Sequence, residues 1–143
     1  MKNKIALLAA TVLISSTAYA AVPQYVTVDH SPVWPRAAEI AKSAWAEHTT
    51  TKITKLYSPK TWGFLTEVDG GFDKDNACIV TVRVTMLPFG VGLNRKDFVY
   101  KPKKTVATFG VTPSSTREQC AELATAKLKE AIGAMMTNLG ADN

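Results

Sequence analysis

The chain has 143 residues, 17 of them lysine or arginine and 12 aspartate or glutamate, for a formal net charge of +5. That length holds one domain with a real core and is short for two. The modest basic excess does not mark a nucleic-acid binder, and nothing after the first twenty residues is long and apolar enough to span a membrane.

Those first twenty residues carry a targeting pattern. Lys2 and Lys4 form a basic head, residues 5–14 are apolar, and Ser15, Ser16 and Thr17 precede Ala18-Tyr19-Ala20. Small residues at the first and third of these last positions fit the narrow subsites of a signal peptidase, as in a cleaved secretory signal. The apolar run is too short to span a bilayer, which takes about 20 residues. No cysteine follows the cleavage point, so a lipid anchor is not expected. The reading is a leader over residues 1–20 and a periplasmic or secreted domain over residues 21–143. Without Lys2 and Lys4, the remainder carries 15 basic and 12 acidic side chains, a net of +3.

Cys78 and Cys120 are the only cysteines. An even pair in an oxidising compartment predicts a disulfide. A reactive pair would call for a C-x-x-C arrangement with a nearby lysine or histidine, and there is none. Closing so long a loop is worth roughly 4 kcal/mol by chain entropy, an upper-end value.

Residues 21–31 read as extended and irregular. Pro35 suits the first turn of a helix, and Ala37, Ile40, Ala41 and Ala44 recur at helical spacing up to about residue 49. Residues 51–57 are β-branched and alternate, which predicts a short strand. In residues 61–69, Trp62, Phe64, Thr66 and Val68 share a face. Asp69-Gly70-Gly71 signals a turn, extended by Asp73, Asp75 and Asn76. Residues 77–87 form the strongest strand, with Cys78, Val80, Val82, Val84 and Met86 on one face and Thr81, Arg83 and Thr85 on the other. Residues 88–94 are a Gly/Pro connection, and residues 97–100 and 104–111 are strand pieces broken at Pro102.

A helix begins at Ser115, which stands in capping-box spacing with Glu118. Leu123, Ala124, Leu128, Ala131, Ile132, Met135 and Leu139 supply its apolar stripe, and Gly140 stops it. The predicted class is α+β: a curved antiparallel sheet of about four strands with two helices on one face, in helix–strands–helix order. The disulfide ties the last helix to the apolar face of the central strand.

Three constellations bear on chemistry. Arg95, Lys96, Lys101, Lys103 and Lys104, interleaved with Phe98 and Tyr100, form a basic strip suited to an anionic partner; the same lysines protect an edge strand. Asp69, Asp73, Asp75 and Asn76 cluster without the spacing of an EF-hand loop, and are ordinary turn residues. Phe89 sits in an apolar, glycine-containing loop that could enter a partner's groove, and that loop lacks the dinucleotide and P-loop signatures. His30 and His48 have no cysteine or carboxylate at metal-ligand spacing, and neither G-x-S-x-G nor H-E-x-x-H occurs. No metal or cofactor is expected. Trp34, Trp45 and Trp62 are expected in the core or at its rim.

The expected function is a small exported binding or inhibitor/immunity-type module, not an enzyme. Its partner would be a protein or an anionic envelope component, met through Phe89, Arg95 and Lys96 and then Lys101, Lys103 and Lys104. Nucleic acid is not expected. One alternative is a small hydrolase using Glu67 or Asp69 with His48. Another is a binder of anionic polymer or lipid through the basic strip.

Overall fold

The two apolar periodicities, near 3.6 and 2, settle into helices and strands in the order β1 (Val26–Asp29), α1 (Ala37–His48), α2 (Thr51–Leu56), β2 (Trp62–Phe72), β3 (Cys78–Pro88), β4 (Lys104–Thr112) and α3 (Arg117–Ala141). The computed structural model describes residues 22–32, 34, 36–90 and 99–141. The expected leader at residues 1–20 therefore lies outside the described residues, as do Arg95, Lys96 and Phe98. Among the described residues no helix is long and apolar enough to cross a membrane.

The fold is α+β, with a four-stranded sheet in the order β1-β2-β3-β4. Cys78, Val80, Val82, Val84 and Met86 on one face of β3 are fully buried. They meet Cys120, Ala124, Leu128, Ala131, Ile132 and Met135 of α3, which follow one another at helical spacing and are buried as well. On the other face Thr81 and Arg83 are exposed.

The structure departs from the sequence reading in several places. The first is β1, which pairs parallel with β2, so the sheet is mixed rather than antiparallel throughout. Parallel neighbours need a crossover, and α1 with α2 supplies it. The ladder of this short strand is extended by side chains: Ser31 Oγ accepts from the Val68 N–H at 3.0 Å and donates to Asp29 Oδ1 at 2.7 Å.

Residues 51–57, expected as a strand, instead hold the whole of α2. Thr50 caps it by accepting from the Ile53 N–H at 3.3 Å, and Ile53 is its one buried residue. A threonine cap and a single apolar anchor outweigh the β-branched alternation, and among the described elements α2 packs on α3 rather than along a strand.

The third departure is at residues 69–71, the start of the expected turn, where β2 instead continues to Phe72. Gly70 makes this possible. Its φ is 138°, and a Cβ there would lie 2.0 Å from the Ile79 carbonyl oxygen. The turn falls at residues 73–77, where Asp73 Oδ1 accepts from the Asp75 and Ala77 N–H groups, both at 2.8 Å.

The last departure shifts the α3 capping box by one residue. The Thr116 N–H donates to Gln119 Oε1 at 2.8 Å and the Gln119 N–H to Thr116 Oγ1 at 3.2 Å. α3 also runs through Gly140 to Ala141. Of the expected strand at residues 97–100, only Val99 and Tyr100 are described, and neither is in a strand.

Cys78 and Cys120 form the expected disulfide, with Cα atoms 5.5 Å apart and both residues fully buried. Cys120→Ser should lower the unfolding free energy by about 2–4 kcal/mol in denaturant titration, because the unfolded chain regains the closed loop's entropy. A loss below about 1 kcal/mol would remove the bond from the fold's main supports.

Tyr25 locks the crossover. Its ring stands edge-on to Phe64 at 4.9 Å, and Trp45 stacks on the same Phe64 at 4.1 Å. Its hydroxyl is directed at the carbonyls of Ile53 and Tyr57, where α2 ends. Burial pushes the phenol up to about 12. The folded state therefore disfavours the phenolate. The resulting stability is present below the unfolded value near 10 and is lost as pH rises from about 10 to about 12. Tyr25→Phe should cost about 1 kcal/mol at neutral pH. The gap between wild type and variant, read by urea unfolding, should close across that window.

Candidate functional site

The helix layer leaves a sizeable opening among the described residues. Between the start of α1 and the N-terminal half of α3 lies a cleft of about 560 Å³. Trp34, Ala37 and Ile40 form one wall, Ala121, Ala124 and Leu128 the other, and Val68 of β2 its floor. Ala37, Ala121, Ala124 and Ala126 make up much of the lining, and side chains this small leave the space between the two helices unfilled. The volume is within the roughly 300–1,000 Å³ typical of small-molecule sites.

The polar groups sit at the rim. Arg36, Glu122, Thr125 and Lys129 contribute to the lining. Arg36 Nε stands 4.0 Å from Glu39 Oε2, with both side chains about four-fifths exposed. Such a pair holds the guanidinium weakly and leaves it able to meet a ligand. Trp34 Nε1 is buried with no acceptor among the described residues. A smaller cavity, about 310 Å³, lies where β1 passes the second half of α1, beside Tyr25, Lys42 and Trp45.

Of the residues expected to make contacts, those described lie elsewhere. Phe89 is half-buried, and its N–H donates to the Thr61 carbonyl at 2.9 Å, continuing the β2–β3 ladder. Lys101 and Lys103 are exposed ahead of β4. Lys104 opens β4, and its Nζ donates to the Asn138 carbonyl in the last turns of α3 at 3.2 Å. None of these residues lines the cleft. Trp45 is 3% exposed in the core, and Trp34 and Trp62 pack partly buried against it.

The acidic pair and His48 do not converge. Glu67 lies on the open sheet face, where Arg83 Nη1 reaches its Oε2 at 3.5 Å. Asp69 lies two residues on, on the same face. His48 ends α1 in the helix layer, its ring beside Gly133 of α3. The sheet stands between them, so the hydrolase arrangement is not assembled. Asp73, expected in a turn, uses one carboxylate oxygen to bind turn amides.

Sequence reading missed a polar cluster and the cleft. Asp29 Oδ1 accepts from Thr66 Oγ1 at 2.8 Å, and Thr66 is fully buried. The Asp29-His30-Ser31 spacing, with the Ser31 N–H donating to Asp29 Oδ2 at 3.3 Å, is an Asx-turn signal that could have disclosed the cluster. The cleft joins residues from distant parts of the chain, so no local pattern announces it.

The lysines divide by role. Lys104→Gln should lower stability by about 0.5–1 kcal/mol, because it removes a cation from the negative end of α3. Lys101→Gln and Lys103→Gln should stay within about 0.5 kcal/mol. Urea unfolding of the three single variants checks this, and equal effects at all three sites would reject the division.

Against models of known protein families and against curated proteins, the chain finds no match.

Proposed function

We propose that this is a small exported binding module whose ligand site is the cleft between α1 and α3. The single observation that carries the reading is that cleft: ligand-sized, apolar inside and charged at its rim. Export is supported by the leader pattern of residues 1–20 and by the buried disulfide, a bond that persists in oxidising compartments. The cleft favours contact with a small envelope ligand over contact with a protein.

Its chemistry selects an amphiphile with a single apolar body and an anionic head. The body would displace water from Trp34, Ile40, Val68 and Leu128 at about 25 cal/mol per Å² of apolar surface covered. The head would reach Arg36 or Lys129, exposed cations that need little desolvation to meet it. Glu122 at the same rim disfavours a second negative charge, which selects a monoanion.

Dodecanoate and 1-anilinonaphthalene-8-sulfonate are suitable probes, followed by tryptophan emission because Trp34 lines the site. Each should saturate at one equivalent. Ala121 is exposed at the rim, so Ala121→Phe should occlude the site while the melting temperature moves by no more than about 2 °C. It should weaken both probes at least about tenfold. Replacing Arg36 and Lys129 with glutamine should weaken dodecanoate more than dodecanol. Binding that fails to saturate, or that is indifferent to Ala121→Phe, would reject the cleft as the site.

A further inference from the structure

We propose that β4 is a self-pairing edge that joins two copies of this chain into one continuous sheet. The starting point is the direction of the main-chain groups. The Asp73 N–H donates to the Ala77 carbonyl at 3.0 Å and the Phe89 N–H to the Thr61 carbonyl at 2.9 Å. Both bonds continue the β2–β3 register, in which Phe72 faces Cys78 and Trp62 faces Pro88. Antiparallel ladders alternate hydrogen-bonded and non-hydrogen-bonded pairs. Odd-numbered residues of β3 therefore bond to β2, and even-numbered ones bond to β4.

In the β3–β4 register the even residues of β3 face Lys104, Val106, Thr108, Gly110 and Thr112. Those residues of β4 bond inward. Thr105, Ala107, Phe109 and Val111 consequently turn their N–H and C=O groups away from the sheet. β4 is the last strand in the order, and among the described residues no hydrogen bond reaches these outward groups.

Sheet edges of this kind are ordinarily blunted by charge, proline, a bulge or shortness. The opposite edge, β1, has 4 residues. β4 has 9, in unbroken register with β3, and after Lys104 it carries neither a charge nor a proline. Its open-face side chains include Phe109 at 60% and Val111 at 48% exposure. The strand thus presents unpaired main chain and uncovered apolar surface together.

A second copy fits this edge through a twofold axis at Thr108. In that antiparallel register Thr105 of each copy faces Val111 of the other, and Ala107 faces Phe109. Every outward N–H and C=O of the four residues then has a partner. Ala107 and Phe109 lie beside each other on the open face, and the two Phe109 residues are diagonal neighbours whose backbone positions are about 7–8 Å apart, within reach of their rings. Lys101, Lys103 and Lys104 of the two copies fall at opposite ends of the joint. A parallel alignment would instead bring these like charges together, so charge selects the antiparallel pair.

Sedimentation of the purified protein over a concentration series, with amide hydrogen exchange at both extremes, tests this. Dimers should form, and the amides of Thr105, Ala107, Phe109 and Val111 should gain protection as concentration rises. Ala107→Pro deletes an outward donor and leaves the ladder to β3 intact. It should weaken association at least about tenfold, since the twofold removes a bond on each side. Phe109→Lys, on the exposed face, should do the same and serves if the proline variant does not fold. A protein monomeric up to about 1 mM, or a dimer untouched by both substitutions, would overturn the proposal. So would exchange at the four odd-numbered amides that does not depend on concentration.

Discussion

The apolar face of β3 against α3 is the contact on which the rest of the structure depends. It buries Val80, Val82, Val84 and Met86 under Leu128, Ala131, Ile132 and Met135, all at or below 1% exposure. The Cys78–Cys120 bond fastens the start of the helix to the start of the strand. The covalent link and the hydrophobic contact act on the same two elements, so the helix has little freedom to rotate or slide. Close approach is reinforced at Gly110 of β4, where a Cβ would stand 2.9 Å from Leu123 Cδ1.

With α3 held there, α1 takes the remaining sheet surface beside it, over β1 and β2. Trp45 and Tyr25 close on Phe64 and fill that half of the core. Toward the N-terminal ends of the two helices the side chains are small, and the cleft opens there. A core clamped by a disulfide tolerates such an opening because its stability comes from packing elsewhere. The helices cover one face of the sheet; on the other, Leu65, Thr85 and Leu87 are buried, while Thr81, Arg83, Thr105, Ala107, Phe109 and Val111 are exposed. Ladder alternation then makes the exposed side chains of β4 and its outward main-chain groups belong to the same residues.

The parallel strand shows how polar side chains substitute for ladder length. β1 spans only Val26–Asp29. Beyond it, the His30 N–H donates to the Thr66 carbonyl at 2.8 Å, and the Ser31 hydroxyl takes the Val68 N–H. Asp29 joins these groups to the buried Thr66 hydroxyl. Buried polar atoms are tolerable when each has a partner, and Asp29, Ser31 and Thr66 partner one another and the Val68 N–H here.

In β3 and α3, each with one face buried and the other not, the amino-acid order alone was sufficient. The alternation in β3 and the stripe in α3 identified the core face. The cysteine pair, lying on both patterns, identified which faces meet. The α+β class and the disulfide follow from those local periodicities. Tertiary structure decided what local pattern leaves degenerate. The β-branched run at residues 51–57 became a helix because a strand needs a neighbouring edge, which sequence does not supply. β1 became a strand because β2 offered it one. Gly70 reads as a turn residue until the Ile79 carbonyl is seen against it. The cleft and the free edge of β4 depend on packing among Trp34, Ile40, Val68 and Leu128 and on strand order. Both are relations between residues far apart in the chain, and so appear only once the chain has folded.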